Sequence, residues 1–302
     1  MSVLRPVLNQ YLRWTEKPHM RRAGSPEALR RAFETKARLF FHAPWSMQSE
    51  WSPLAGRDAL TIFPRGSEPT RTILYFHGGG YVFGSPRTHA AMLAALAKRA
   101  GAKAVLPRYP LAPEDPFPAA LDHAIATFEA CKALGGQVVV GGDSAGGGLA
   151  LSLLAHLLSE GRALPDAVFA FSPLTDLTFS GASFRDNAVA EVVLPAERAS
   201  EMAGLYLNGV DRSDPRASPL FAEFAGAPPV WITAGDTEIL LDDSRRLVDR
   251  MRSQDTDVTY VEEHDLPHVW PIFHNTLPEA RRTLDSLAAW IKAQTGASAA
   301  TR

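Results

Sequence analysis

The sequence predicts an α/β fold, in which helices cover both faces of a mostly parallel sheet. Two observations lead to this prediction. From about residue 57 onward, short apolar runs alternate with longer runs of helical pattern, and the loops between them are short. The apolar runs are rich in Val, Ile and Phe, which is typical of strands buried on both faces. The 302 residues suffice for one large domain or two modest ones.

The predicted elements follow one another in regular order. The helix over 85–101 has the clearest boundaries, because Ser85 can cap its start, Pro86 suits its first turn and Gly101 suits the position past its end. The predicted strands are 71–80, 103–109, 137–142, 166–173, 229–235 and 257–264. The predicted helices are 85–101, 117–136, 145–160, 241–254 and 278–295.

Two regions depart from this alternation. Residues 1–45 are helical in pattern and carry many arginines. Residues 175–226 contain one helix-like stretch, 195–209, between long loops. So long an excursion between two strands is more often functional than idle. We therefore interpret residues 175–226 as a lid over a site.

Composition and charge argue against several classes of protein. The formal net charge of −2 gives no reason to expect nucleic acid or an anionic membrane as a partner. Cys131 is the only cysteine, so no intrachain disulfide forms and no oxidising compartment is indicated. The start lacks the apolar core of a signal peptide, and no stretch approaches the length of a bilayer span. We expect a soluble, cytoplasmic protein.

A glycine-rich junction follows the strand at 137–142. Gly142-Asp143-Ser144-Ala145-Gly146 has the form G-x-S-x-G. On a strand-to-helix turn, the serine takes a strained conformation and projects its hydroxyl above the carboxyl edge of the sheet. A closely packed turn without chemistry is the alternative, and the strand–helix context favours a nucleophile. No phosphate-binding glycine pattern is present, which argues against nucleotide binding.

A second glycine cluster, in 76–85, follows another predicted strand. Its consecutive glycines expose backbone N–H groups, and such donors stabilise the negative charge of an acyl-transfer intermediate. We predict that Gly78 and Gly79 are oxyanion donors, together with Ala145 at the start of its helix. His77 is predicted to shape this loop rather than to act as a base.

His268 is the predicted general base. It lies in the loop after the last strand, and this loop returns to the edge of the sheet where Ser144 is expected. His264 is four residues away, but Pro267 argues against a helix that would bring the two rings together. No metal site is therefore expected.

Six segments of the sequence together resemble the hormone-sensitive-lipase-like branch of the α/β-hydrolases, the bacterial family IV esterases. The resemblance runs from about residue 57 to the C-terminus. It implies a mostly parallel eight-stranded sheet, short-chain acyl ester substrates, no cofactor and frequent dimers. The segments are HGGGYVFGS (77–85), RYPLAPEDPFPAAL (108–121), GDSAGG (142–147), SPLTDLT (172–178), DPRASPLF (214–221) and LPHVWP (266–271).

The resemblance also predicts how the chain is divided. Residues 1–45 would form an N-terminal helical cap segment. Residues 46–302 would form the catalytic domain, with the cap insertion at about 175–226. Six residues are candidates for lining the substrate pocket: Trp14, Tyr81, Phe83, Phe184, Leu205 and Tyr206.

The acidic member of the triad is where the sequence departs from the family. The family has Asp-Pro-Leu after its seventh strand, whereas this chain reads ITAGDTEILLDDSRRL over 232–247. Counting from the strand end favours Asp236. Counting back from the helix favours Glu238, which keeps the family's usual interval to His268. Either carboxylate can accept the imidazole N–H if it reaches the ring. We predict Glu238, because it keeps the family's interval.

The sequence thus predicts a serine carboxylesterase that acts on a small acyl ester and water. A lactone or amide hydrolase with the same triad is an alternative, since the HVWP segment resembles the part of the family that includes lactone hydrolases. A non-catalytic receptor on the same fold is disfavoured, because plant receptors that resemble this family lack the catalytic histidine.

Overall fold

The structure, a computed structural model, describes residues 2–296 of the chain. Its strands are β1 Met47–Leu54, β2 Arg57–Pro64, β3 Arg71–Phe76, β4 Lys103–Pro107, β5 Gln137–Asp143, β6 Ala167–Phe171, β7 Val230–Gly235 and β8 Val258–Glu263. They form one eight-stranded sheet in the order β1-β2-β4-β3-β5-β6-β7-β8. β2 pairs antiparallel with β1 and β4, and all other neighbouring strands are parallel. The predicted α/β fold is confirmed.

The helices cover both faces of this sheet. Their bounds are α1 Leu4–Arg22, α2 Pro26–Phe40, α3 Pro86–Ala100, α4 Ala119–Ala133, α5 Ala145–Ser159, α6 Ser183–Asp186, α7 Ala196–Leu207, α8 Leu241–Arg252 and α9 Pro278–Gly296. The predicted signals of α3 are confirmed, because the Ser85 hydroxyl accepts the Thr88 N–H and Gly101 adopts a left-handed conformation. In this conformation glycine carries no Cβ penalty.

Two apolar cores lie on opposite faces of the sheet. In β5, Val138 and Val140 point to the core formed with α4, α5 and α8, whereas Val139 points to the core formed with α3 and α9. This alternation is the two-residue period of a strand. Since all three side chains are fully buried, β5 lies in the interior of the protein, and its C-terminal end is shielded from bulk solvent by the elements around it.

The β1–β2 hairpin is the one part of the sheet that the residue pattern does not predict. β1 contains Pro53 and several polar side chains, and most of its residues are partly exposed. An edge strand tolerates proline and solvent, so its sequence lacks the apolar run that marks the buried strands.

The two regions outside the α/β alternation contact each other. Arg13 of α1 donates from Nη1 to the Val189 carbonyl (2.7 Å) and from Nη2 to the Ala190 carbonyl (3.0 Å). Lys17 Nζ donates to the carbonyls of Ala188 and Glu191, both at 2.7 Å. Two cationic side chains of α1 thus donate hydrogen bonds to the backbone carbonyls of residues 188–191. These bonds hold α1 against the 175–226 region.

The predicted boundary at residue 45 falls in the loop between α2 and β1. Residue 1 of the predicted N-terminal segment and residues 297–302 of the predicted catalytic domain lie outside the described residues. Among the described helices, none is long and apolar enough to cross a membrane.

Candidate active site

Ser144 occupies the turn between β5 and α5. Its backbone has φ +51° and ψ −121°, a conformation that residues with a Cβ rarely adopt. The Ser144 N–H donates to the Phe171 carbonyl (2.9 Å), and the Ser144 carbonyl accepts from Leu174 (2.9 Å) and Gly148 (3.0 Å). Such a residue costs about 1–3 kcal/mol of strain, which these surrounding bonds must offset. The turn therefore has the geometry that the G-x-S-x-G motif predicts.

Close backbone contacts explain the glycines on either side of Ser144. A Cβ on Gly142 would lie 2.1 Å from the Gly146 carbonyl oxygen, and a Cβ on Gly146 would lie 2.1 Å from the Phe76 carbonyl oxygen. Only glycine lets β5, α5 and the end of β3 approach this closely. As a result, the loop that follows β3 (residues 77–85, called the Gly78 loop) lies next to the start of α5.

Asp143 is a buried carboxylate that organises the loop after β3. It accepts hydrogen bonds from the Tyr75 hydroxyl (2.7 Å), from the Gly78 N–H (3.0 Å) and from His89 Nε2 (3.2 Å). Burial raises the pKa of Asp143, but the charge and hydrogen bond of His89 and the hydrogen bond of Tyr75 lower it below its usual value overall. Asp143, the second residue of the motif, thus anchors the neighbouring loop.

This anchoring corrects one predicted role. The N–H of Gly78 donates to Asp143, so it is not free to donate to an oxyanion. Within residues 2–296, the N–H groups of Gly79, Gly80 and Ala145 form no hydrogen bond. The sequence shows three glycines in a row but not which N–H the Asp143 side chain takes, and for this reason the prediction is wrong at Gly78.

His77 supports the same loop. Its ring stacks on Tyr109, with 4.4 Å between centroids, and on His89, with 5.7 Å. Burial lowers the pKa of His77 to about 3, so the ring is neutral near pH 7. His77 Nδ1 lies 2.9 Å from the Gly78 carbonyl oxygen, which fits its predicted part in shaping the loop.

His268 and Glu238 form a buried pair at the ends of β8 and β7. His268 Nδ1 lies 2.6 Å from Glu238 Oε2. Glu238 Oε1 accepts from the Ser172 hydroxyl (2.7 Å) and from the Gly235 N–H (2.6 Å), so both carboxylate oxygens are held. His268 Nε2 has no hydrogen-bond partner among the described residues. It belongs to a side chain that lines the same cavity as Ser144.

Electrostatics favour the protonated form of this imidazole. Burial lowers the pKa of His268, but the charge of Glu238 and its hydrogen bond raise it, as do the charges of Glu191 and Asp143. The resulting pKa of His268 lies above the usual value for histidine. A protonated ring is therefore better tolerated here than burial alone would allow.

Asp236, the competing carboxylate, lies elsewhere. Its Oδ2 is 2.6 Å from His264 Nδ1, and its Oδ1 accepts from the Asp265 N–H at 2.7 Å. The side chain of His264 is 67% exposed. Asp236 thus pairs with the surface histidine of the loop, and Glu238 pairs with the buried one.

A cavity of about 250 Å³ opens beside Ser144 and His268. Its walls are mostly apolar and come from α1, α2, the Gly78 loop and the 175–226 region. The lining residues that the sequence analysis did not select include Leu8, Leu12, Met20, Phe33, Leu177, Phe179, Val193, Leu194 and Met202. For Leu8 and Leu12, the spacing of four residues on a predicted helix is the signal that could have identified them.

Two of the six predicted lining residues, Tyr81 and Phe83, line this cavity. The other four do not. Trp14 is 72% exposed on the outer face of α1. Phe184 stacks on Phe179, with 4.7 Å between centroids, and lies behind that cavity residue.

The remaining two predicted lining residues belong to α7. Tyr206 stacks flat on Tyr81 at 3.7 Å and is buried in the core behind it, and Leu205 packs against the same core. Of this helix, Ala199, Met202 and Ala203 reach the cavity. The prediction for these side chains is wrong because the rotation of α7 about its axis depends on long-range packing that the local sequence does not specify.

No metal-binding cluster is found within the part of the chain that the structure describes, where no three His, Cys, Asp or Glu side chains come together suitably.

The chain matches known proteins along most of its length. The model of a family with the α/β-hydrolase fold matches residues 73–272. An acetyl-hydrolase of Streptomyces hygroscopicus is 39% identical over 229 residues, which are 75% of this chain and 77% of that protein. An esterase of Acinetobacter venetianus is 33% identical over 87% of this chain and 88% of its own length.

Solved structures agree over nearly the whole chain. An esterase from the bacterial hormone-sensitive lipase family superimposes with a TM-score of 0.91 and 34% identity, covering 98% of this chain and 99% of its own. The crystal structure of EstE5 soaked with p-nitrophenyl butyrate superimposes with a TM-score of 0.92 and 34% identity, covering 98% of this chain and 100% of its own.

The glycine contacts around Ser144 lead to a prediction on stability. Gly146→Ala should lower the free energy of unfolding by about 2 kcal/mol or more, because its Cβ collides with the fixed carbonyl of Phe76. Gly204→Ala is the matched control in another helix, where a Cβ meets nothing within 4 Å and alanine should stabilise by about 1 kcal/mol. Urea and thermal midpoints measure both. Equal midpoints for Gly146→Ala and the parent protein would contradict the close contact.

Proposed function

The chain belongs to the hormone-sensitive-lipase-like branch of the α/β-hydrolases, and we propose that it is a serine carboxylesterase for short-chain acyl esters. The observation that carries the proposal is the arrangement at His268. Nδ1 of the ring is held by the buried Glu238, and Nε2 has no partner in the described structure. His268 and Ser144 line the same cavity. This is the arrangement of a base that serves a neighbouring hydroxyl.

The proposed first half-reaction forms an acyl-enzyme. Ser144 Oγ attacks the acyl carbonyl carbon as His268 Nε2 takes the hydroxyl proton. The carbonyl π electrons move to oxygen and give a tetrahedral oxyanion. When this intermediate collapses, the bond to the alcohol oxygen breaks, and His268 returns the proton to the departing alcohol. The acyl group is then an ester of Ser144.

Water completes the cycle. His268 takes a proton from a water molecule, whose oxygen attacks the acyl carbon of the Ser144 ester. A second tetrahedral oxyanion forms and collapses, Ser144 Oγ leaves with the proton from His268, and a carboxylic acid is released. In each half-reaction Glu238 accepts the Nδ1–H of His268 and stabilises the imidazolium.

Three backbone N–H groups are proposed to bind the oxyanion, those of Gly79, Gly80 and Ala145. Ala145 begins α5, where the helix dipole favours negative charge. The hydrogen bond from Gly78 to Asp143 supports this set, because it fixes the loop that carries the other two donors before substrate arrives. Donors held in advance require no reorganisation as charge develops.

We propose that α1, α2 and the 175–226 region form the cap of the catalytic domain and select the substrate. Their apolar side chains make up much of the cavity wall. A volume of about 250 Å³ suits a small acyl ester rather than a long-chain lipid. A possible homodimer and a cytoplasmic location stay predictions of the sequence.

The proposal predicts that Ser144→Ala abolishes esterase activity. The kcat for p-nitrophenyl acetate or butyrate should fall at least about 10⁴-fold, because no other hydroxyl replaces the nucleophile. A fluorophosphonate should label the parent protein once per chain and leave the variant unlabelled. Ser159→Ala, at the exposed end of α5, serves as the control and should keep full activity. Full turnover by Ser144→Ala would end the proposal.

A pair of variants tests the acidic residue. Glu238→Gln should lower kcat by about 10³- to 10⁴-fold, because an amide neither stabilises the imidazolium nor fixes the reactive tautomer. Asp236→Asn should stay near the parent value, since Asp236 pairs with the surface residue His264. Both are assayed after circular dichroism confirms folding. A large loss in Asp236→Asn with normal activity in Glu238→Gln would reverse the assignment.

The cavity predicts a preference for acyl chains of roughly two to six carbons. Measuring kcat/KM for p-nitrophenyl esters from acetate to palmitate should give a maximum within this range, because longer acyl chains exceed the volume of the cavity. The opposite result, a maximum on emulsions of long-chain triglycerides, would contradict the proposed substrate class. Lactone and amide substrates assayed in parallel test the alternatives that share this triad.

A further inference from the structure

Glu191 is a buried carboxylate that the proposed reaction does not use. It lies in the 175–226 region and is 1% exposed. One carboxylate oxygen accepts from the N–H groups of Val193 (2.7 Å) and Leu194 (3.3 Å), and the other accepts from the N–H of Ile239 (3.3 Å). Ile239 directly follows Glu238, so the side chain connects a wall of the cavity to the loop that carries the proposed triad acid.

A neighbouring side chain strengthens this connection. Asn187 Nδ2 donates to the carbonyls of Asp236 (3.0 Å) and Glu238 (2.8 Å). Asn187 and Glu191 thus contact the 236–239 loop at three backbone atoms. Since Val193 and Leu194 line the cavity, Glu191 links the cavity wall to the loop that carries Glu238.

The hydrogen bonds to Glu191 favour its ionised form, whereas its burial favours the neutral form. Each hydrogen bond to its carboxylate comes from an N–H group, and such bonds stabilise the anion. In residues 2–296 no Lys or Arg forms an ion pair with this carboxylate. Lys17 Nζ donates to the backbone carbonyl of Glu191, and its charge interacts with the Glu191 side chain. A buried anion needs a compensating charge.

The charges of His268 and Glu238 both act on Glu191. Burial raises the pKa of Glu191, the charge of His268 lowers it, and the charge of Glu238 raises it, so that the pKa of Glu191 lies above its usual value. Since the charge of His268 lowers this pKa, the ionised form of Glu191 is favoured most when His268 is protonated. The other charged groups that act on these two residues are Lys17 from α1, which interacts with Glu191, and Asp143, which interacts with His268. Protonation of His268 during the reaction is therefore favoured by the hydrogen-bonded Glu238 and by the charge of Glu191.

We propose that Glu191 is a positioning residue of the esterase reaction, a second carboxylate that stabilises the imidazolium of His268 and holds the Glu238 loop against the cavity wall. The inference rests on the proposed function, because it concerns the base of that reaction. Glu191 touches neither the reacting atoms nor the imidazole by a hydrogen bond, and it acts through its charge and through Ile239.

The pH dependence of kcat/KM tests this role. His268 works as a base only when it is neutral, so activity falls as pH drops through its pKa in the free enzyme. Removal of a nearby negative charge makes the imidazolium less stable and lowers this pKa. In Glu191→Gln the acid limb should therefore move to lower pH by about one unit, the order expected for a partly screened carboxylate.

Two further variants separate charge from structure. Glu201→Gln removes the same charge from the exposed face of α7, where the side chain is 56% exposed, and should leave the acid limb unchanged. Glu191→Asp keeps the charge on a shorter side chain. It should bring the acid limb back toward the parent value, while kcat or KM changes because the contact with Ile239 is weakened.

The outcomes distinguish this inference from the proposed function. If the parent protein neither hydrolyses esters nor reacts with a fluorophosphonate, the proposed function fails. If Glu191→Gln is labelled fully at Ser144 but its acid limb coincides with that of the parent and of Glu201→Gln, only the role of Glu191 fails. If Glu191→Gln does not fold, Glu191→Met is measured in its place. Failure of both to fold would make Glu191 a purely structural residue and would contradict the proposal.

Discussion

The site depends on one steric constraint, the close approach of β5, α5 and the end of β3. Gly142 and Gly146 allow this approach, because a single methyl group at either position would collide with a backbone carbonyl. It forces Ser144 into its strained conformation and brings the start of α5 beside the Gly78 loop. Every other element of the site is arranged around a serine whose position is set by the backbone rather than by its side chain.

Buried carboxylates hold the loops around that serine. Asp143 fixes the Gly78 loop, and Glu191 holds the cavity wall. Glu238 holds His268, the Ser172 hydroxyl and the Gly235 N–H. Each carboxylate accepts several hydrogen bonds from N–H or O–H groups, and these bonds offset part of the cost of burying its charge. The loops at the carboxyl edge of the sheet are therefore tied to one another by side chains, in a region where regular backbone pairing has ended.

The sequence predicts the parts of this arrangement that depend on local pattern. The buried strands, the turn at Ser144 and the interval between Glu238 and His268 can be read from residue types and spacing. The hydrogen bond from Gly78 to Asp143 and the rotation of α7, which turns Tyr206 into the core, cannot be read in this way. Both are set by contacts between segments far apart in the chain, and a single sequence contains no record of those contacts.

The contacts of α1 with residues 188–191 have a consequence for the order in which the molecule assembles. Arg13 and Lys17 bind carbonyl groups 171 to 177 positions further along the chain. Loops of that length close slowly, because the entropy of closure must be lost before the contact contributes. During synthesis, α1 emerges before most of the sheet and before residues 188–191, so this contact forms only after those residues exist. The part of the cavity wall that α1 contributes is therefore added only after the residues of the Ser144 turn have been synthesised.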